Sequence, residues 1–552
     1  MRIRKSRSSR FRLVFSGLIL LLFSGGWSAG AMAQVRVPLQ PSSSFDEESA
    51  GLLRRGQQLE RDRRWSEAMA HYEDAARRLP ERREILDRLT LARAHYDVTR
   101  RYNDTSFQQA VDTLSLQDAN DVYSEIILKI QTHYVQAPNW HDLVRRGTFM
   151  LEVALTEPVF LQRHLAKVPA ATINAARQTL RSRTDNASIR SRQDAKDAVI
   201  QAVGYVHEQL GVPTTASMLE YTCGAISALD EYSTFLSGDQ LDELFSQIEG
   251  NFVGLGVELK PDSRALLIVN VINGSPADKG GIRKGERIVG VDGRTTDELT
   301  PEKAADMLKG AQGSYVTVDV RDAQGTDRSV KLLRERVDVP SVDDARIIDA
   351  DYGVGYLRLS SFQKTTSRDV DAALWKLHRM GMKSLIVDVR GNPGGLLTAA
   401  VDVADKFLVN GTIVRTKGRN SNEDFDYKAH SVGTWRMPLV VLIDGDSASA
   451  SEIFAGAIRD HSRGKLVGTR SYGKGSVQGI FPLSSTSAGI RLTTAKFFSP
   501  NGQPISQRGV QPDVLVSSAA KPDLDAGGTI QSDDDPVLRA GLQQARSQVS
   551  QR

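Results

Sequence analysis

The sequence predicts a multidomain α+β protein with a helical N-terminal region, a β-rich middle region and an α/β C-terminal region. Three observations support this fold class. Amphipathic helical patterns fill most of residues 46–229. After Gly250 the glycine content rises and short β-branched runs begin. From Gly353 to about Ser517, apolar strand patterns alternate with amphipathic helices. A length of 552 residues has room for several such domains.

The N-terminus has the three parts of an export signal. Residues 1–12 carry six basic side chains, and residues 13–27 form an uncharged, mostly apolar run. Ala31 and Ala33 supply small side chains at the positions that a signal peptidase reads. We therefore predict a signal peptide over residues 1–33 and a periplasmic or secreted protein. The alternative is an uncleaved membrane anchor, which is disfavoured because Gly, Ser and Ala dilute the apolar run. Membrane contact is expected only in that case.

The charge balance argues against the simplest interpretation of a basic protein. The chain has 71 Lys and Arg against 67 Asp and Glu, a formal charge of +4. Without the six basic residues at the N-terminus the counts are 71 − 6 = 65 and 67, a balance of −2. The basic character therefore belongs to the export signal, and no nucleic-acid partner is expected.

The cysteine and histidine content argues against disulfides, a cysteine nucleophile and a metal site. Cys223 is the only cysteine, so the chain cannot form an internal disulfide. It is most simply a small buried side chain, because no activating partner is apparent near it. No group of His, Cys, Asp and Glu residues has metal-ligand spacing, so no metal or cofactor is expected. Export without disulfides suggests a bacterial cell envelope.

The pattern divides the chain into seven segments. They are a signal peptide (1–33), a linker (34–45), a repeat-like helical hairpin region (46–110), a second helical region (111–245), a β-rich domain (246–336), an α/β core (337–520) and a polar C-terminal tail (521–552). The tail is expected to be helical towards its end and loosely held.

The first helical region carries a repeat-like pattern. Gly56, Ala68, Tyr72, Ala75 and Pro80 follow the offsets of a tetratricopeptide repeat. A generic helical hairpin is an equal alternative. Because a single repeat cannot bury its own face, these helices are expected to contact neighbouring helices, an adaptor or a second copy of the chain.

Hydrophobic periodicity places the elements of the two C-terminal domains. In the β-rich domain, strands are predicted over Val253–Leu259, Ala265–Val271, Arg287–Val291 and Tyr315–Val320, with a helix over Pro301–Leu308. In the α/β core, strands are predicted over Val354–Leu359, Ser384–Val389, Leu439–Ile443 and Lys465–Gly468. Helices are predicted there over Ser367–Met380, Leu397–Leu408 and Ser451–Arg459.

Two turns that follow buried strands of the core could hold an oxyanion. Residues 388–395, Asp-Val-Arg-Gly-Asn-Pro-Gly-Gly, contain clustered glycines that let backbone N–H groups point into a pocket. Ser449 stands at a strand-to-helix turn and has capping-box spacing to Glu452. The N–H of Ala450 there could bind an oxyanion at the positive end of the helix dipole. A plain glycine turn and simple N-capping are the structural alternatives.

A third spot supplies a base. Lys474 is flanked by two glycines, and Gln478 follows four residues later. A lysine shielded from water loses its preference for the charged form, and its neutral amine can take a serine proton. Gln478 could orient that amine. In combination, the three spots predict a Ser–Lys hydrolase. A Ser-His-Asp triad is the competing mechanism, but neither His430 nor His461 has a motif around it.

These motifs resemble those of the carboxyl-terminal processing peptidases, also called tail-specific proteases. The resemblance covers roughly residues 118–516 and is carried by Leu229–Phe235 and by residues 388–395, 447–453, 455–460 and 473–478. It implies a crotonase-like α/β core and a serine endopeptidase. It also implies the roles of the site residues, which are Ser449 as nucleophile, Lys474 as general base, Gln478 as its orienting partner, and the backbone of Gly394, Gly395 and Ala450 as oxyanion hole.

The β-rich domain resembles a PDZ domain. Phe252, Val253, Gly254, Leu255, Gly256 and Val257 are similar to its carboxylate-binding loop, and the following strand could accept a peptide as an added strand. Met307 and Leu308 are expected to line the side-chain pocket. Glu286 stands where the family more often has Asp. A PDZ fold without a peptide role is the alternative.

The combined prediction is an exported serine endopeptidase. It would recognise protein substrates with apolar C-termini through the PDZ domain and cleave them by a Ser–Lys mechanism, with selectivity from apolar pockets and backbone amides. Two other classes stay open at this point. One is a non-catalytic PDZ and repeat scaffold in the cell envelope, and the other is a crotonase-like acyl-CoA enzyme.

Overall fold

The computed structural model describes residues 42–262, 265–299, 301–517 and 535–551. The predicted signal peptide, residues 34–41 of the predicted linker and residues 521–534 of the predicted tail lie outside the described residues. Within the described ranges, no helix combines the length and the apolar character that crossing a membrane requires. The chain divides between Leu89 and Thr90 into two units.

The helices and strands of the described residues follow the predicted order of classes. The helices are α1 Ser42–Arg61, α2 Trp65–Arg78, α3 Arg83–Asn103, α4 Thr105–Thr113, α5 Leu116–His133, α6 Trp140–Ala154, α7 Pro158–His164, α8 Ala170–Asp185, α9 Arg192–Leu210, α10 Thr214–Ser227, α11 Gly238–Glu249, α12 Pro276–Lys279, α13 Pro301–Leu308, α14 Thr366–Arg379, α15 Leu397–Asp405, α16 Ala450–Asp460 and α17 Pro536–Ser550. The strands are β1 Thr234–Leu236, β2 Asn251–Gly254, β3 Val257–Asp262, β4 Ala265–Val271, β5 Arg287–Val291, β6 Arg294–Thr295, β7 Tyr315–Arg321, β8 Asp327–Leu333, β9 Glu335–Asp338, β10 Val342–Asp349, β11 Val354–Leu359, β12 Ser384–Asp388, β13 Thr412–Gly418, β14 Phe425–Lys428, β15 Leu439–Ile443, β16 Lys465–Gly468, β17 Ser476–Pro482, β18 Gly489–Phe498 and β19 Val514–Leu515. The predicted α+β multidomain class is confirmed.

The first unit is built on a close helix contact. A Cβ atom added at Gly56 of α1 would lie 2.2 Å from the ring of Tyr72 on α2, so only glycine fits. Tyr72 is fully buried, and its hydroxyl donates to Glu60 at 2.7 Å. Arg88 donates to the same carboxylate at 2.8 Å. The small residues of the pattern therefore do bring two helices together, while the tetratricopeptide assignment stays a prediction. Helix α1 begins at Ser42, inside the segment predicted as linker.

In the second unit, the helices α5, α6, α9 and α10 share one hydrophobic core. Helix α10 lies at its centre, with every residue from Thr215 to Ile226 buried. It meets α6 at paired glycines, because a Cβ atom at Gly224 would lie 2.5 Å from the Cα atom of Gly147. Burial raises the pKa of the Cys223 thiol to about 12. The Cys223 side chain is therefore an unreactive part of the packed core, in agreement with its sequence context.

The β-rich domain has one sheet of order β3-β4-β5-β7-β8, with β6 paired to β5. Helix α13 covers β4 and β5 over a core that includes Leu255, Ile288 and Val318. The predicted strand over residues 253–259 is two strands, because the chain turns at Gly256 with φ of +79°. The first of them, β2, pairs with β9 in a separate ribbon, and β3 forms an edge of the main sheet.

The α/β core has a sheet of order β10-β11-β12-β15-β16-β19, in which all strands except β10 run parallel. Alternate side chains of a strand point to opposite faces. Val387 and Val441 therefore pack on one face with α14, α15 and α16, whereas Ile386 and Val440 pack on the other face with α17. The predicted strands of this domain are continuous apolar runs because both faces are covered.

A second sheet, absent from the sequence prediction, has the order β1-β18-β13-β14, with β17 also paired to β18. Strand β18 is its centre. Ile490 and Leu492 of β18 lie in the core of the helical part, and Phe497 of the same strand lies in the core of the α/β domain. One ten-residue strand thus belongs to two hydrophobic cores.

Helix α17 corrects the expectation of a loosely held tail. Val537, Leu538, Leu542 and Ala545 recur at helical spacing, are buried and pack on the rear face of the parallel sheet. Arg546 also pairs with Asp349 at the end of β10. The tail is polar in composition, but the face that matters is apolar.

We expect Leu542→Ala to lower the free energy of unfolding by about 2–4 kcal/mol, because it removes a buried side chain from a packed face. Denaturant unfolding of the purified protein measures this change. The exposed neighbour Gln543→Ala serves as control, with an expected change below about 0.5 kcal/mol. Equal stability of the two variants would mean that α17 is not packed on the sheet.

Candidate active site

The three predicted turns meet at one edge of the parallel sheet. The glycine turn (residues 388–395) follows β12, Ser449 follows β15, and the lysine loop (residues 471–478) follows β16. These strands are neighbours and parallel, so their carboxyl ends lie side by side. A Cβ atom at Gly394 would lie 2.8 Å from both Ser449 Cβ and Ala450 N. The glycine turn therefore touches the turn of the serine.

Ser449 has an unusual backbone. Its φ and ψ are +56° and −112°, a conformation that a residue with a side chain rarely adopts. It is half-buried and precedes the first turn of α16. Such strain persists only where the surroundings fix it. A hydrogen bond from Ser449 N to Glu452 Oε2 at 2.9 Å is one of the constraints.

Glu452 holds the site together. Its Oε2 accepts from Ser449 N at 2.9 Å and from Lys474 N at 2.8 Å. Its Oε1 accepts from Ser471 Oγ at 2.6 Å and from Gly473 N at 2.7 Å. The side chain is fully buried, and burial raises the pKa of this carboxyl although all four hydrogen bonds favour the charged form. The capping-box spacing predicts one of these contacts; the reach into the lysine loop has no local signal in the sequence.

Lys474 lies in surroundings that disfavour its charge. Burial first, and then the positive charge of Arg491, lower the pKa of Lys474, while Glu231 and Glu452 act in the opposite direction. Its Nζ lies 5.0 Å from the centre of the Tyr232 ring. Arg491 donates from Nε to the carbonyl oxygen of Tyr232 at 3.1 Å, so both cations are arranged around one tyrosine. The lysine is thus shifted towards the neutral amine that a general base requires.

The structure does not bring all predicted partners into contact. Within the described residues, Lys474 Nζ has no hydrogen bond to Ser449 Oγ or to Gln478. The side-chain amide of Gln478 donates instead to Ser476 Oγ at 2.9 Å and to Ser476 O at 3.2 Å. Gln478 therefore stabilises its own strand here, and its orienting role stays a prediction.

The three predicted oxyanion donors differ in whether their N–H groups are already hydrogen-bonded. The N–H of Gly394 donates to Asn392 Oδ1 at 2.8 Å and is therefore engaged. In the described part of the chain, the N–H groups of Gly395 and Ala450 have no hydrogen-bond partner. Asn392, which the sequence prediction missed, also donates from Nδ2 to Leu359 O at 2.8 Å and so fixes the turn that presents Gly395.

The histidine alternative has no support in the geometry. His461 follows the last residue of α16 and lies twelve residues after Ser449, which corresponds to about 18 Å along a helix. Its Nε2 lies 2.7 Å from Thr412 O. His430 is exposed and contacts Asp405. Neither ring lies where it could take the proton of Ser449.

The loop predicted to bind a carboxylate has free donors. Within the described residues, the N–H groups of Leu255 and Gly256 have no hydrogen-bond partner. Strand β3, which follows, is paired on one side only. Met307 is partly buried at the rim of the domain core, as expected for a groove residue. Leu308, in contrast, is 6% exposed and belongs to the core, and its place in the pocket lining stays a prediction.

Comparison with known proteins agrees with this arrangement. The sequence model of "Peptidase family S41" matches residues 353–516, and a model of the PDZ domain matches residues 267–322. The carboxy-terminal-processing protease of Bartonella bacilliformis is 36% identical over 314 residues, which cover 55% of this chain and 71% of that protein. The carboxyl-terminal-processing protease of Synechocystis sp. is 35% identical over 300 residues, 53% of this chain and 69% of that protein.

A solved structure, the photosystem II D1 C-terminal processing protease, aligns with a TM-score of 0.39 and 24% identity over 73% of this chain and 94% of that one. The matches in sequence place this chain in the class of serine proteases that carry a PDZ domain. The chain belongs to peptidase family S41, the family of the carboxy-terminal processing proteases.

We expect Gly394→Ala to reduce proteolytic activity by about 100-fold or more, because its Cβ atom would displace the Ser449 turn and the predicted oxyanion donor Ala450. Gly394 also has φ of +101°, which an alanine rarely adopts. Steady-state cleavage of a peptide substrate measures the loss. Gly445→Ala, where a Cβ atom meets open space, is the matched control and is expected to keep full activity.

Proposed function

We propose that the protein is an exported endopeptidase that recognises apolar C-terminal tails through its PDZ domain and cleaves the polypeptide upstream with Ser449 as nucleophile and Lys474 as general base. The observation that carries this proposal is the Glu452 carboxylate. It ties the backbone of the serine turn to the backbone of the lysine loop, with bonds of 2.9 and 2.8 Å.

The proposed reaction begins with the neutral amine of Lys474. This amine turns from the Tyr232 ring towards Ser449 and takes the Oγ proton, and Oγ attacks the carbonyl carbon of the scissile bond. The N–H groups of Gly395 and Ala450 stabilise the oxyanion. The protonated lysine then passes its proton to the leaving amine. A water molecule, deprotonated by Lys474, hydrolyses the acyl-enzyme and frees Ser449.

The proposed recognition uses the free N–H groups of Leu255 and Gly256. They would bind the terminal carboxylate of a substrate, and its chain would extend β3 as an added strand. Val257 and Met307 are partly buried apolar residues that pack against the domain core. As lining of the groove they would favour an apolar last residue.

The proposed location in the cell envelope is supported by the sequence of residues 1–33, whose basic, apolar and small-residue parts are typical of an export signal. The N-terminal helices of the first unit are proposed as the surface for an adaptor or a second copy.

The proposed function is tested with an unfolded reporter protein that ends in an apolar tail. Ser449→Ala and Lys474→Ala are each expected to lose at least about 10³-fold in kcat/KM relative to wild type. Lys474→Arg is the matched control for charge, and we expect it to be equally inactive because arginine does not release its proton. The same reporter with an acidic tail should be cleaved more slowly, through a higher KM.

Cleavage by Ser449→Ala at the wild-type rate would contradict the mechanism. Binding of the reporter by wild type without any cleavage would favour a scaffold. Turnover of an acyl-CoA and not of the reporter would favour the crotonase-like alternative. Equal KM for the apolar and acidic tails would contradict recognition of the tail.

The pH dependence of cleavage follows from the Lys474 pKa. Activity requires the neutral amine, so it falls as the pH decreases through that pKa. Since the charge of Arg491 lowers the pKa of Lys474, Arg491→Gln raises it. We expect the acid limb of the kcat profile to move to higher pH in this variant. The exposed Arg415→Gln, on β13 of the same sheet, should leave the limb unchanged. A shift to lower pH would contradict the assignment of Lys474 as base.

A further inference from the structure

Behind the glycine turn, Arg390 lies in a buried cluster with two carboxylates. Its Nε donates to the two oxygens of Asp388 at 2.9 and 3.1 Å, and its Nη2 donates to Asp388 Oδ2 at 2.6 Å. Its Nη1 donates to Asp535 Oδ1 at 3.0 Å, and its Nη2 lies 2.8 Å from Asp535 Oδ2. The Tyr356 hydroxyl donates to Asp388 at 2.8 Å. The side chains of Arg390, Asp388 and Asp535 are 2%, 1% and 1% exposed, so water does not compete for these bonds.

The two carboxylates connect Arg390 to different parts of the fold. Asp388 is the last residue of β12 and accepts from Tyr356 of β11, so it connects Arg390 to the sheet from which the glycine turn itself begins. Asp535 lies 145 residues further along the chain, at the start of α17. Its Oδ1 also accepts from Val537 N and Leu538 N at 3.0 Å each, which makes it the N-cap of α17. Arg390 is therefore linked to a helix that packs on the whole rear face of the sheet.

Burial makes this link demanding. A guanidinium group without access to water must have acceptors for its N–H groups. Without the Asp535 carboxylate, Nη1 of Arg390 would lose its acceptor, and the guanidinium, still bonded to Asp388, would have to shift to find another. Because Arg390 directly precedes Gly391 in the turn, such a movement carries the backbone that presents Gly395.

We propose that Asp535 is a positioning residue for the reaction: through Arg390 it fixes the glycine turn, and with it the oxyanion donor Gly395, to the C-terminal helix. This inference rests on the proposed function, since it assumes that Gly395 stabilises the oxyanion. The polar tail thereby supplies a part of the active-site support, from a region with no motif of its own.

Asp535→Asn is the decisive variant, because asparagine keeps the N-cap acceptor of α17 and removes the charge that Arg390 requires. Asp349→Asn is the matched control. It removes the other ion pair of α17, with Arg546, at a carboxylate that is 6% exposed and does not contact the glycine turn. The full chain carries each change. The measurements are kcat and KM on the tailed reporter, thermal unfolding, and the rate constant for labelling of Ser449 by a fluorophosphonate, whose phosphoryl oxygen occupies the oxyanion hole.

We expect Asp535→Asn to lower kcat by about 10- to 100-fold with KM changed by less than about 2-fold, as for a sub-ångström to ångström displacement of a catalytic group. The labelling rate constant should fall in parallel. Asp349→Asn should keep kcat within about 2-fold of wild type at a comparable unfolding midpoint. The labelling rate constant reports on folded molecules alone, so partial unfolding cannot imitate the effect.

Equal kcat and labelling rate constants in Asp535→Asn and Asp349→Asn would overturn the inference. So would a loss of activity in Asp535→Asn that appears only as a smaller folded fraction. Asp535→Ala, which also removes the cap, should show at least the loss of the asparagine variant when it folds. Cleavage by wild type and none by Ser449→Ala would leave the proposed function intact in each of these cases.

Discussion

The arrangement of the site depends on one buried carboxylate, Glu452. A carboxylate removed from water costs several kcal/mol unless hydrogen bonds replace its hydration. Four donors do so here, and they come from two places in the chain: the backbone of the serine turn, and the lysine loop through the Ser471 hydroxyl and two backbone N–H groups. The same bonds that satisfy the charge also fix the distance between the two loops. This arrangement also holds the strained backbone of Ser449. The hydrogen bond that fixes the Ser449 backbone is one of the four that stabilise the buried Glu452 carboxylate, so the two features depend on each other.

The two binding functions proposed for the chain use the same physical device. In the candidate active site, the N–H groups of Gly395 and Ala450 have no partner within the described residues, and we propose that they bind an oxyanion. In the PDZ domain, the N–H groups of Leu255 and Gly256 are free in the same sense, beside an edge strand. In each place a glycine allows the backbone to turn so that donors face outward. Backbone amides carry no net charge, which fits a chain whose acidic and basic residues nearly balance.

The sequence was sufficient for elements and motifs that depend on neighbours along the chain. Local patterns predict the glycine turn, Ser449 and Lys474, because each follows an apolar strand and is marked by nearby glycines or by capping-box spacing. Contacts between distant residues left no such signal. The engagement of Gly394 by Asn392, the pairing of Gln478 with Ser476 and the burial of Leu308 depend on packing that composition does not encode. The sequence does not predict the second sheet, because β13 and β18 mix polar and apolar residues. It predicts a loosely held tail because the tail is polar in composition, whereas the single apolar face of α17 packs on the parallel sheet.

Strand β18 joins the helical region and the protease core into one folded unit. A border between the helical region and the protease can be drawn along the sequence near residue 245. In three dimensions Ile490 and Leu492 complete the helical core, and Phe497, a few residues on, completes the catalytic one. The helical region therefore does not form a complete hydrophobic core without β18. A loosening of the helical bundle would therefore also disturb the sheet of β17 and β18, and β17 begins two residues after Lys474.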